Sequence, residues 1–248
     1  MTVTGSRRDI VRVTGTDTWT FLQSLLSQDV ADLADGDARP TLLLTPQGKV
    51  DVVGVITRVG DDAVIDTDPG WGERLFASLS RFKIRTKVEL SVEPAPQVDA
   101  DAFAAEEAAR IAAGVPRMGA DLDDAVIPQE AFLELDAVSF TKGCFIGQEL
   151  VCRIDSRGHV NRFLRHVVPA DSGVTLPVGA EITVGAKVVG SVTSSAPGIA
   201  MGFVRREIDP PAAGAVDGQP VYVEAAPRPT ALDGRGPRVS PTRPRRVR

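Results

Sequence analysis

Phe140-Thr-Lys-Gly-Cys-Phe-Ile-Gly-Gln-Glu-Leu-Val-Cys-Arg153 is the stretch of this chain whose reading decides the fold. Gly143 and Gly147 bracket Cys144, so the backbone is free to turn tightly or approach a ligand at both points. Residues 148–153 read as the first turns of a helix that starts near Gly147. A thiol just ahead of a helix start, with Lys142 nearby, meets two conditions that favour the thiolate: N-terminal amides and a neighbouring cation. The other reading, a small buried hydrophobe, is the commonest fate of a free cysteine. Downstream, Arg153, Arg157, Arg162 and Arg165 stand against one acid, Asp155, with His159 and His166 interleaved. Guanidinium groups so clustered suit a polyanionic ligand, and a solvated face is the alternative. Cys144, Cys152, His159 and His166 lack the short ligand pair of structural zinc sites, so no metal site is expected.

Outward from this stretch, the pattern mixes helix and strand without regular alternation. Trp19, Leu22, Leu25, Leu26 and Val30 predict a helix over 16–33, capped by Thr16 or Asp17. Strands are expected at 42–44, 49–59, 63–66 and 84–92, with a helix opening at Pro69 between the last two. An Ala-rich helix follows over 101–113, ended by Gly114. This order is α+β rather than doubly wound. Beyond His166, short runs at 181–184, 187–193, 200–204 and 221–224 are separated by glycine and proline, the pattern of a small β-barrel or sandwich. The expected division is a folded region over 1–166, a β-domain over 167–224 and a tail over 225–248.

The 248 residues are 43% hydrophobic and 25% charged, enough apolar material for a sizeable core. No apolar run approaches the roughly 18 residues that span a bilayer, and no secretory h-region opens the chain. With two cysteines there is no disulfide framework, so a cytoplasmic protein with no membrane partner is expected. The net charge of −5 is unevenly spread. Seven arginines and five prolines against Asp233 make 225–248 a disordered basic tail, a solubility segment or a weak contact for RNA or another acidic partner.

Lys142-Gly-Cys-Phe-Ile-Gly-Gln-Glu149 closely resembles the K-G-C-[FY]-x-G-Q-E signature of the YgfZ-type folate-binding proteins, relatives of the glycine-cleavage T-protein, an aminomethyltransferase. Val13-Thr-Gly15, Phe21-Leu-Gln23, Gln28-Asp-Val30, Arg110-Ile-Ala-Ala-Gly114, Ile127-Pro-Gln-Glu130, Arg157-Gly158 and Val189-Gly-Ser-Val-Thr-Ser194 also fall in the family's order. The resemblance covers nearly the whole chain before the tail, with a shortened stretch between about Val92 and Asp101.

That resemblance implies T-protein-like α+β lobes around a central opening that binds tetrahydrofolate or a derivative, followed by a C-terminal β-barrel. It also implies an accessory role in assembling or repairing iron–sulfur enzymes, including those that modify tRNA. Cys144 becomes the functional thiol with Lys142 as its neighbour, and Gly143, Gly147, Gln148, Glu149, Arg153 and Arg157 become candidate folate contacts. The implied partners are folate, iron–sulfur proteins or their assembly machinery, and tRNA indirectly. Two departures bear on chemistry. The T-protein's paired aspartates correspond to Val52 and Val53 here, with Asp51 one place early, and the relatives' pterin-binding glutamate is Ala112. A true aminomethyltransferase and an RNA-binding module remain the alternative functions.

Overall fold

The computed structural model describes residues 7–97 and 99–227, so most of the expected tail lies outside the described residues. Strand β1 (Asp9–Thr14) leads to helix α1 (Thr18–Leu25), then to β2 (Ala38–Leu44), β3 (Val50–Val59) and β4 (Asp62–Thr67). Helix α2 (Gly72–Ser80), β5 (Glu89–Glu93) and α3 (Ala100–Ala112) follow. A 3₁₀ turn (Pro128–Glu130), α4 (Glu134–Ala137) and α5 (Gln148–Arg157) precede six further strands. These are β6 (Arg162–Pro169), β7 (Glu181–Val184), β8 (Lys187–Ala196), β9 (Ile199–Arg205), β10 (Ala212–Val216) and β11 (Gln219–Glu224).

The first five strands form one antiparallel sheet in the order β2-β3-β4-β1-β5. The last six close into an antiparallel barrel, β10-β11-β6-β9-β8-β7. The barrel takes its first strand from Arg162, inside the region expected to end at 166. The apolar alternation of β6 begins there, while the glycine punctuation that marked the boundary in the sequence starts later. Three apolar clusters hold these parts together. Val11, Ile56 and Ile65 pack one sheet face under Leu22 of α1 and Leu75 and Leu79 of α2. Leu42, Leu44, Val50 and Val53 on the other face join Ile111, Phe145 and Val151 to Leu164, Met201 and Phe203 of the barrel wall. Val167, Ile182, Val204 and Val221 are among those filling the barrel. The middle cluster ties sheet to barrel, and Phe145 of the signature stretch belongs to it.

Several expected elements are shorter than the sequence suggests, each for a tertiary reason. The first helix stops at Leu25 because Ser27 turns away: its N–H donates to the Leu42 carbonyl and its hydroxyl to Ala137, while it accepts from Leu42 N–H. Asp17 occupies the N-cap position but gives its carboxylate to Lys87 N–H instead of to the helix. The helix expected at Pro69 begins at Gly72, where Asp9 Oδ2 accepts from Gly70 and Gly72 N–H. The expected strand over 84–92 forms only from Glu89, and residues 81–87 are a surface loop. By contrast the helix before Gly114 closes as expected: Gly114 is left-handed (φ +68°), and Val115 N–H reaches the Arg110 carbonyl. Among the described residues, no helix is long and apolar enough to cross a membrane.

Candidate functional site

The 142–149 loop is held on three sides. Lys142 Nζ donates to the carbonyls of Gln23, Leu26 and Gln28, at 2.7, 2.7 and 2.9 Å, closing the frayed end of α1. Burial pushes this ammonium down to about 8, opposed by Asp29, and it also lies 5.6 Å from the Phe145 ring centroid. Phe145 is buried in the middle cluster, and its N–H reaches Gln148 Oε1 at 3.3 Å, so Gln148 closes the turn on itself. Gly147 caps α5 in the left-handed conformation (φ +74°), and a Cβ there would stand 2.4 Å from the Thr45 carbonyl oxygen. Gly48, in the turn before β3, answers it: a Cβ on Gly48 would meet Gly147 O at 2.8 Å. The two glycines let the signature loop sit directly on the Gly48 turn.

Cys144 is exposed on this loop, ahead of α5. The three hydrogens of Lys142 all point at backbone carbonyls, so the lysine acts as a clamp for the loop and not as a hydrogen-bond donor to the thiol. Gly143 has open space around it, so its steric need is unlike that of Gly147. Cys152 lies half-buried on α5, where burial, with Asp155 adding to it, pushes its thiol up.

The arginine cluster does not converge. Arg153 pairs with Glu149 one helical turn away at 2.6 Å, both exposed, and Arg157 ends the same helix exposed. Arg162 turns back to Glu130 at 3.1 Å and stacks on Phe203. Arg165 lies over Phe163, itself stacked on Phe132. His166 is buried with Nε2 2.7 Å from the Ile111 carbonyl; burial holds it below the usual imidazole range, and the neutral ring donates from Nε2.

A cavity of about 190 Å³ is lined by Asp51, three residues past Gly48, with Trp71, Arg74, Asp123 and Asp124. A bulge makes it. Leu43 faces Val52 and Leu44 faces Val50, leaving Asp51 as the extra residue, and the kink aims its carboxylate at α2. Both of its oxygens are engaged: Oδ1 by Arg74 at 2.6 Å and Oδ2 by the Ser78 hydroxyl at 2.7 Å. Val52 and Val53 are buried in the apolar clusters on opposite faces of the sheet, and Ala112 is exposed at the end of α3. Lys49 Nζ and Val50 N–H pin the segment behind Asp124 through the carbonyls of Ala125 and Val126, which brings Asp123 and Asp124 to β3. Trp71, Arg74, Asp123 and Asp124 carried no motif in the sequence. Only the bulge and the pinned segment bring them together.

No family model matches the chain. It is 26% identical over 210 residues to an uncharacterized protein of Haemophilus influenzae, covering 70% of this chain and 75% of that one. The structure of the glycine cleavage system aminomethyltransferase T from Bartonella henselae superposes with a TM-score of 0.77 at 18% identity, over 89% of this chain and 83% of that one. The chain therefore has the T-protein fold.

Proposed function

We propose that this chain is a YgfZ-like folate-binding accessory protein that supports the assembly or repair of iron–sulfur clusters, including those of tRNA-modifying enzymes. The observation that carries this reading is the seating of the signature loop on the Gly48 turn. It puts an exposed thiol on a rigid mount at the turn that leads into β3, the strand whose Asp51 lines an acid- and aromatic-lined cavity.

The donor set of the cavity suits a reduced pterin. Asp123 and Asp124 offer acceptors for a ring edge rich in N–H groups, Arg74 offers a donor for a ring oxygen, and Trp71 supplies an apolar wall. The volume fits a bicyclic ring and leaves the rest of a folate outside the cavity. When bound, tetrahydrofolate supplies nitrogens that carry one-carbon units. Ala112 contributes no carboxylate, so the affinity rests on Asp123 and Asp124.

The fold neighbour favours aminomethyl transfer as a second reading. Against it, Val52 and Val53 carry no acid, and Asp51 is already paired on both oxygens. Calorimetry with tetrahydrofolate tests the leading reading. Binding that weakens about tenfold or more in Asp123→Ala/Asp124→Ala supports it. No heat at millimolar ligand, or binding untouched by these substitutions, counts against the pocket. Glycine-cleavage exchange well above background would favour the second reading.

A further inference from the structure

The 81–87 loop, Arg81-Phe-Lys-Ile-Arg-Thr-Lys87, alternates four cations with two apolar side chains in a chain of net charge −5. Ile84 is 78% exposed, more than any other large apolar side chain among the described residues, and Phe82 is 41% exposed. The loop is preformed. Phe82 and Lys83 N–H extend the end of α2 to the Leu79 and Ser80 carbonyls, and Lys87 N–H is held by Asp17 Oδ2 at 2.8 Å. Between these anchors Arg85 adopts φ +62°, a left-handed turn uncommon for arginine. Lys83 makes a long 3.5 Å pair with the exposed Glu89, and no ion pair is formed by the side chains of Arg81, Arg85 or Lys87 among the described residues.

We propose that this loop is a peripheral contact for an anionic bilayer surface, with Ile84 and Phe82 entering the headgroup boundary and the four cations meeting acidic lipids. Ring-on-base stacking would use Phe82 but gives an aliphatic tip such as Ile84 nothing to do. A stable protein interface needs a broader patch around its apolar anchor, and here the neighbours of Phe82 and Ile84 along the chain are charged. A short apolar tip ringed by cations fits insertion at a lipid surface. The acidity of the remaining chain limits the approach to this face, because repulsion elsewhere acts only within a Debye length. The contact departs from the expectation of no membrane partner, which rested on the lack of a spanning run. It is independent of the folate reading.

The test is co-sedimentation of the full chain with vesicles of phosphatidylcholine alone and mixed with phosphatidylglycerol. Binding to the mixed vesicles should exceed binding to the neutral ones by about tenfold at low salt and fall as salt rises. Ile84→Ser, which keeps every charge, should weaken it severalfold, and Arg81→Glu/Arg85→Glu should remove it. In Ile84→Trp, emission should shift to the blue on adding the mixed vesicles. Binding unchanged in Ile84→Ser and in the charge reversal would assign it to the arginine-rich C-terminal segment and overturn the proposal. So would tighter, loop-dependent binding to single-stranded RNA, or no binding to either vesicle.

Discussion

Two polar junctions meet the middle apolar cluster, and they differ in what they leave free. At the barrel junction, Asp121 is fully buried and saturated: Oδ2 takes Arg110, and Oδ1 takes the hydroxyls of Thr193 and Ser194. Arg110 is equally committed, to Glu107, Ser194 and the Val115 carbonyl. At the signature loop, Lys142, Phe145, Gly147 and Gln148 are committed in the same way, yet Cys144 between them faces solvent. The first arrangement joins α3 to the barrel. The second uses comparable restraint to hold one exposed thiol in a fixed place.

That contrast predicts opposite outcomes for removal of one side chain at each junction. Asp121→Ala takes one of two carboxylate partners from a buried guanidinium, Glu107 remaining, and removes the acceptor shared by the Thr193 and Ser194 hydroxyls, so it should cost about 3 kcal/mol in urea unfolding. Cys144→Ser should stay within about 0.5 kcal/mol of the parent, because an exposed thiol contributes little to packing. Comparable losses at both positions would erase the distinction.

Lys142 sharpens the comparison through pH. Its value in the folded chain, about 8, lies below the 10.5 of a free lysine. Between those values the unfolded chain binds more protons than the folded one, so stability rises with pH across that window. The penalty for holding the charge is complete below about 8 and relieved toward 10.5. Lys142→Met lacks this linkage. The parent should therefore gain on the order of 1–2 kcal/mol relative to the variant as pH is raised through the window, after allowance for partial solvation. Denaturant unfolding at the two ends of the range reads it, and a flat difference would show that the clamp is not titrating.

The smallest expected effect concerns the two thiols. Alkylation near neutral pH followed by peptide mapping should label Cys144 before Cys152, by about tenfold in rate, because Cys144 is open and the Cys152 thiol is pushed up by burial. Faster labelling of Cys152 would make the exposed position of Cys144 irrelevant to its chemistry.

Much of this was legible in the sequence. Gly147 as the start of a helix, Gly114 as the end of one, and β7, β8, β9 and β11 of the barrel follow from local rules that tertiary contacts did not override, whereas β6 and β10 were not expected as strands. The length of α1 was not legible, because partners distant in sequence end it: Leu42 holds Ser27 from 15 residues on, and Lys142, more than 100 residues on, takes the carbonyls of Gln23, Leu26 and Gln28. Neither was the role of Lys142: spacing put it beside the thiol, while the fold offered its ammonium three carbonyls. The arginines at 153–165 read as one cluster, but Arg162 and Arg165 lie on β6 and turn to Glu130 and to aromatic rings. The cavity was hidden most completely, since it depends on a one-residue bulge at Asp51 that no pattern of apolar residues announces.

The claim that the mounted thiol serves iron–sulfur enzymes is tested most directly by the activity of a tRNA-thiolating iron–sulfur enzyme in a host lacking this protein. The measurement compares the host alone, complemented with the parent chain, and complemented with Cys144→Ser at matched expression. The account predicts that the parent restores the enzyme and that Cys144→Ser, although folded, does not. Full restoration by Cys144→Ser, or none by the parent, would contradict it.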